Sequence, residues 1–129
     1  MTMVATYRKG ARAERELIKW FSEKGFEVIR AAGSGGNSLS PDIIVFRKGK
    51  QYALECKAWD TTSLSLKQPQ IDGLKRWQET TGITTMVAWR VSRKGWRFIP
   101  LHLIKKTPKG YSVSWKTAEN TMIFEDLIR

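Results

Sequence analysis

The stretch that decides the fold is Asp42-Ile-Ile-Val-Phe-Arg-Lys-Gly-Lys-Gln-Tyr-Ala-Leu-Glu55-Cys56-Lys57. It predicts two strands joined by a short turn, with an acidic residue at the start of the first strand and Glu-x-Lys at the end of the second. Because strand side chains alternate between faces, Glu55 and Lys57 are expected to point to the same side. Polar residues gathered at one end of a hairpin indicate a metal site rather than a solvated surface.

Length and charge narrow the class of protein. The chain has 129 residues, which predicts a single domain. Lysine and arginine number 23 against 12 acidic residues, a net charge of +11 that favours polyanionic partners, above all nucleic acid. One cysteine and one histidine argue against an internal disulfide and a Cys/His zinc site. With no apolar run of membrane-spanning length and no signal peptide, we expect a cytoplasmic protein of a prokaryotic cell, or of a virus or phage acting in the host cytoplasm.

The order of predicted elements indicates an α/β fold, with a mixed central sheet of about five strands flanked by helices. A basic arm is expected at 1–9, and a C-terminal extension with a short strand and an amphipathic helix at 106–129. The continuous apolar run at 43–46 predicts a strand covered on both faces. The remaining predicted elements are helices over 11–24 and from 69 to 81, strands over 26–32, 51–58, 84–91 and 96–99, a Gly/Ser loop over 33–40 and a polar connection over 59–67.

Helical periodicity separates the acids of the first helix. Glu14 falls within about 60° of the apolar stripe formed by Leu17 and Phe21. A carboxylate on such a stripe is costly unless it is paired or binds metal, although a glutamate in the first turn is also favoured by the helix dipole. Glu16 and Glu23 fall on the opposite side and are predicted to be plain surface acids.

These acids suit the hydrolysis of a phosphodiester, which needs a hard cation held by carboxylate oxygens. Asp42 and Glu55 meet that need if their strands are neighbours, and the backbone carbonyl of Cys56 adds an oxygen. Lys57 reaches the same space, where it could orient water or stabilise charge on phosphorus. Glu14 could bind the metal directly or through water. The alternative is that Glu55 and Lys57 form an ordinary ion pair on an exposed strand.

Several other residues are candidates for contact with nucleic acid. Arg47, Lys48 and Lys50 form either a phosphate-binding patch or a solvated turn. The loop over 33–40 is small enough for its backbone to approach a phosphate. Among the tryptophans, Trp59 is the candidate for base stacking because it follows Lys57 closely.

The pattern Pro41-Asp42, twelve residues, Glu55-Cys56-Lys57 resembles the PD-(D/E)xK nuclease signature. Further blocks, from about 8 to 103, resemble the archaeal-type Holliday junction resolvases. These blocks are Arg8-Lys9-Gly10, Ala13-Glu14-Arg15-Glu16-Leu17, Gly25-Phe26-Glu-Val-Ile-Arg30, Ala32-Gly33-Ser34-Gly35 and Trp96-Arg97-Phe98.

The resemblance implies a homodimeric, Mg²⁺-dependent endonuclease with a restriction-endonuclease-like core, in which Mn²⁺ substitutes and no small-molecule cofactor takes part. Such enzymes recognise four-way DNA junctions by shape and make paired, symmetric nicks. A closed two-fold dimer would present two equivalent sites to the symmetric strands of a junction. A repair or restriction-type nuclease on the same core, or a catalytically silent DNA-binding module, remains an alternative.

The resemblance also implies residue roles. The implied catalytic set is Glu14, Ser34, Asp42, Glu55 and Lys57. The implied DNA-binding set, to which the hairpin turn adds Arg47 and Lys48, is Arg8, Lys9, Arg15, Arg30, Ser34 and Gln70. Trp77, in the second helix, is implied to lie at the dimer contact.

Overall fold

The computed structural model describes residues 3–31 and 40–129, with side chains from Arg8 onward. Its elements, in chain order, are α1 (Met3–Glu23), β1 (Glu27–Arg30), β2 (Ile43–Arg47), β3 (Lys50–Ala58), β4 (Ser63–Leu66), α2 (Gln68–Thr81), β5 (Thr84–Val91), β6 (Gly95–Pro100), a 3₁₀ turn (Leu101–Leu103), β7 (Lys105–Thr107), β8 (Gly110–Ser114), α3 (Trp115–Ala118) and α4 (Phe124–Ile128).

Five strands form the central sheet in the order β1-β2-β3-β5-β6. β3 and β5 are parallel and the other neighbouring pairs are antiparallel, so the sheet is mixed. Helix α2 lies in the crossover between the two parallel strands, as such a connection requires. The predicted five-stranded mixed sheet flanked by helices is confirmed.

Two apolar clusters build the core, one on each face of the sheet. Leu17 and Phe21 of α1 pack with Leu127 of α4 on one face. Ile71 and Leu74 of α2 pack with residues of β4 and β8 on the other face. This arrangement places α1 and α2 on opposite faces of the sheet. Each helix supplies one polar residue, Glu14 from α1 and Gln70 from α2, near the C-terminal end of β3.

Helix α1 begins at Met3, so the prediction of a loose arm over 1–9 is wrong from residue 3 onward. A glycine inside a helix costs only about 1 kcal/mol relative to alanine, and Gly10 therefore does not stop the helix. Lys9 binds Asp60, a contact between distant parts of the chain that helps to hold this first part of α1 on the body.

A second sheet, β4-β8-β7, was not predicted. Its first strand lies inside the expected polar connection, where Leu64 and Leu66 are buried and the alternating serines are exposed. The backbone at Gly110 approaches β4 so closely that a Cβ there would lie 2.6 Å from the Leu66 carbonyl oxygen. The C-terminal extension is part of the core, since Val113 and Trp115 belong to the same cluster as α2.

Strand β2 is covered less completely than predicted. Ile43 and Val45 are buried under α1, whereas Ile44 and Phe46 are half-buried. On the other face of the central sheet, α2 and the second sheet pack over β5 and β6. These two strands lie at the opposite side of the sheet from β1 and β2. Among the helices in the described residues, none has the length and apolar character needed to span a membrane.

Candidate active site

Asp42, the residue directly before β2, is held against β3 by two hydrogen bonds. Its backbone N–H donates to the Leu54 carbonyl at 2.9 Å. Its Oδ2 accepts a hydrogen bond from the Cys56 N–H at 2.8 Å. These two contacts tie the carboxylate to β3, in the immediate neighbourhood of Glu55. The prediction that the two acids come from neighbouring strands is confirmed.

Glu55 is buried, with 8% of its surface exposed. Its Oε2 accepts a hydrogen bond from Gln70 Nε2 at 2.7 Å and lies 3.7 Å from Lys57 Nζ. Burial, followed by the negative charge of Asp42, raises the pKa of Glu55 from its ordinary 4.5 to about 7. A buried carboxylate beside a second one is the electrostatic environment that a divalent cation relieves.

Lys57 lies between the buried acid and an exposed aromatic ring. Its Nζ is 5.9 Å from the centre of the Trp59 ring. The Trp59 backbone carbonyl accepts from Trp89 Nε1 at 2.9 Å, which anchors this segment on β5. Trp59 itself is 39% exposed. The role of Trp59 in base stacking stays a prediction.

Glu14 reaches the same region from α1, with 17% of its side chain exposed. Its Oε1 accepts from Arg30 Nε at 2.7 Å, which joins α1 to β1. Burial raises the pKa of the Cys56 thiol well above its usual range, and the charges of Asp42 and Glu14 raise it further. The charge of Glu14 therefore acts on β3, and binding of the metal by Glu14 stays a prediction.

These acids do not form a preassembled cage. In residues 3–31 and 40–129, no three His, Cys, Asp or Glu side chains are grouped closely enough to hold a metal ion. Glu14 Oε1 is paired with Arg30, so Glu14 is not grouped with Asp42 and Glu55. Asp42, Glu55 and the Cys56 carbonyl fit Mg²⁺, which usually keeps several waters and takes one or two carboxylates.

The remaining predicted DNA-binding residues differ in their exposure and in their ion pairs. Arg8 and Arg15 are exposed on α1 and Lys48 is exposed in the hairpin turn. Lys9 is partly neutralised by Asp60. Ser34 lies outside the described residues.

Arg47 is better explained as a structural residue than as a DNA contact. Its guanidinium donates to the backbone carbonyls of Lys24 at 2.8 Å and of Ile128, and its charge lies 4.4 Å from the centre of the Phe26 ring. It lies at the far end of β2 from Asp42, about 15 Å away at the usual rise per strand residue. Arg47 thus joins the ends of α1 and α4.

Glu16 was predicted to be a plain surface acid, and that prediction is wrong. Its Oε1 accepts hydrogen bonds from Trp96 Nε1 at 2.9 Å and from Arg90 Nε at 3.1 Å. Helical periodicity places a residue relative to its own helix, but the partners of Glu16 belong to β5 and β6. Glu23, by contrast, is exposed and contacts only Lys19, at 3.8 Å, among the ion pairs of the described residues.

Gln70 was implied to contact DNA, yet its amide is bound to Glu55. Its place in the first turn of α2, directly after Pro69, gave no signal for this partner. For the metal-dependent nuclease that the sequence resembles, we predict that Gln70→Leu, which keeps the size of the side chain, lowers the nicking rate by about 10- to 100-fold, the usual cost of losing a group that orients a metal ligand. The rate is measured under single-turnover conditions with saturating enzyme.

The control for this change is Gln68→Leu, because Gln68 is exposed at the start of α2. Affinity for DNA, measured without metal, should stay within about twofold in both variants. A loss of affinity in Gln70→Leu with an unchanged rate for bound DNA would instead support the DNA contact.

Comparison with known proteins decides the family. A family model described as archaeal Holliday junction resolvase (hjc) matches residues 5–129. This chain belongs to that family. A crossover junction endodeoxyribonuclease, Hjc, of Archaeoglobus fulgidus is 33% identical over 106 residues, which are 81% of this chain and 78% of that protein. The Hjc of Methanocaldococcus jannaschii is 31% identical over 122 residues, 95% of this chain and 88% of the relative.

The fold of this resolvase family member agrees with a solved relative. The structure of the Holliday junction resolvase Hjc of Archaeoglobus fulgidus superposes with a TM-score of 0.82 at 26% identity, covering 93% of this chain and 95% of that chain. The restriction-endonuclease-like core predicted from the sequence is therefore confirmed.

Proposed function

We propose that this Holliday junction resolvase acts as a homodimer and cuts four-way DNA by paired, symmetric nicks that depend on Mg²⁺, with Mn²⁺ as a substitute. The observation that carries the metal dependence is Glu55: a buried carboxylate, next to Asp42, held by Gln70 and Lys57. The alternative, an ordinary ion pair between Glu55 and Lys57 on an exposed strand, does not account for this burial, because such pairs lie at the surface and contribute little to stability.

The proposed ligands are Asp42, Glu55 and the Cys56 carbonyl, with Glu14 acting through water. When bound, the cation would neutralise charge on the scissile phosphate and lower the pKa of a water molecule. Gln70 and Lys57 both contact Oε2 of Glu55, which fixes the plane of the carboxylate. Lys57 then has its remaining donors free to orient the attacking water and to stabilise charge on phosphorus.

DNA binding is proposed to rest on the positive surface. A net charge of +11 favours contact with phosphates over readout of bases. Arg8 and Arg15 are exposed on α1, the helix that carries Glu14, and Arg30 contacts the Glu14 carboxylate. These positive charges support a phosphate-binding surface on this side of the protein. Affinity should accordingly fall steeply with salt, in proportion to the number of phosphates contacted.

The test of the function compares a labelled four-way junction with a linear duplex that carries the same arm sequences. With Mg²⁺ we expect paired nicks in the junction and an intact duplex, and with EDTA binding without nicks. Cleavage of the duplex at one sequence would favour a restriction-type nuclease. Junction binding without nicks under any metal would favour a silent DNA-binding module.

The homodimer gives a separate prediction. In sedimentation the protein should have twice the chain mass of 14.8 kDa. Trp77 is half-buried on α2, and Trp77→Ala should weaken the dimer about 30-fold, as the loss of an aromatic anchor at an interface does. Trp20→Ala is the control, since Trp20 is exposed on α1. A monomer that still makes paired nicks would contradict the symmetry argument.

A further inference from the structure

The carboxylate of Glu16 fastens α1 to two strands of the central sheet. One oxygen, Oε1, accepts from Trp96 Nε1 at 2.9 Å and from Arg90 Nε at 3.1 Å. Trp96 is buried, with 3% of its surface exposed, so its indole N–H depends on this acceptor. Arg90 and Glu16 are each about one-third exposed and complete the contact as an ion pair.

Glu14 makes the corresponding contact on the other flank of the same helix. A residue advances by about 100° around an α-helix, so Glu14 and Glu16 lie about 60° and about 100° to either side of the line through Leu17. Glu14 contacts Arg30 at the β1 edge, and Glu16 contacts the β5–β6 side. Leu17, which is fully buried, faces the sheet between them.

We propose that Glu16 is a positioning residue, which sets the rotation of α1 about its axis and thereby the place of the Glu14 carboxylate relative to Asp42 and Glu55. This inference rests on the proposed metal-dependent function. Glu16 itself touches neither DNA nor metal in this role. It acts through the backbone of α1, two residues from Glu14.

Apolar packing alone defines this rotation poorly, because the attraction between apolar groups is non-directional. Two hydrogen bonds from different strands to one carboxylate oxygen are directional. At a radius of about 6 Å, a rotation of about 20° moves a side chain by about 2 Å. A hydrogen bond to a metal-bound water holds only over about 2.7–3.2 Å between heavy atoms, so a displacement of about 2 Å is enough to remove the Glu14 carboxylate from the site.

The test uses Glu16→Ala, Glu16→Gln and Trp96→Phe in the full chain. Mn²⁺ binding to the DNA-free protein is measured by electron paramagnetic resonance. The metal concentration that gives half of the maximal nicking rate is measured separately. We expect Glu16→Ala to weaken Mn²⁺ binding about 10- to 100-fold, as other losses of supporting groups around a metal do. Glu16→Gln keeps an acceptor for Trp96 and should lie between the wild type and Glu16→Ala.

Glu23→Ala is the matched control, since Glu23 lies on the same helix and is exposed. It should bind Mn²⁺ like the wild type, and junction binding in EDTA should stay within about twofold in every variant. If Glu16→Ala fails to fold, the Mn²⁺ affinities of Glu16→Gln and Trp96→Phe test the inference in its place. Wild-type Mn²⁺ affinity in variants that have lost only thermal stability would overturn the inference. A wild-type protein that binds no Mn²⁺ and nicks in EDTA would instead overturn the proposed function.

Discussion

Replacing Asp42 by asparagine is expected to lower the nicking of a four-way junction by at least about 10³-fold, because a metal ion supplies several kcal/mol of charge stabilisation in the transition state and each 1.36 kcal/mol is tenfold. The amide has the shape of the carboxylate, and its oxygen can still accept the hydrogen bond that Cys56 N–H donates at 2.8 Å. The fold should therefore persist, and only the charge that holds the metal is removed.

The measurement is the single-turnover nicking rate beside the affinity for the same junction without metal. Affinity should be unchanged within about twofold, since the positive surface is intact. Asp72→Asn is the control, because Asp72 is exposed on α2. Loss of binding in Asp42→Asn would show that Asp42 is structural, and a retained rate would remove Asp42 from the proposed metal site.

Replacing Glu55 by glutamine is expected to lower the nicking rate about as much as Asp42→Asn does. The same change is expected to stabilise the metal-free fold above pH 7. Burial and the charge of Asp42 raise the pKa of Glu55 from 4.5 to about 7. Between these pH values the folded protein keeps a proton that the unfolded chain releases, so the free energy of unfolding falls as pH rises. The loss is complete above pH 7 and amounts to at most about 3 kcal/mol.

Glutamine cannot ionise, and it can still accept the hydrogen bond of Gln70. In EDTA, the wild type should lose stability from pH 5 to pH 8 relative to Glu55→Gln, as measured by denaturant unfolding. The two proteins should be close in stability at pH 5 and furthest apart at pH 8. Glu79→Gln, on the exposed side of α2, should follow the wild type. Equal pH dependence of Glu55→Gln and the wild type would show that the pKa of Glu55 is not raised.

Local sequence patterns predicted the centre of this molecule well. The hairpin from Asp42 to Lys57 was found because strand periodicity and turn residues are read over a few neighbours. Helical periodicity likewise placed Glu14 beside the buried stripe, since the rotation per residue is fixed. The spacing between Asp42 and Glu55 brings the two acids together through one antiparallel pairing, with Ile43 opposite Leu54.

Contacts between distant segments account for what the sequence did not predict. β4 finds its partner β8 about fifty positions later, and without that pairing the Ser/Leu alternation reads as a polar connection. Arg47 looked like a turn cation, but the end of α4 and the end of α1 converge on it.

Glu16 shows most clearly the difference between what local sequence patterns predict and what contacts between distant segments decide. By itself the sequence determined a hairpin, an acidic pair at its end, a third acid on α1 and a basic chain suited to nucleic acid. Only the tertiary structure decided that Gln70 holds Glu55 and that Arg90 and Trp96 hold Glu16. The physical reason is that a periodic pattern fixes which face of an element a side chain occupies, whereas its hydrogen-bond partner depends on which other element is packed against that face.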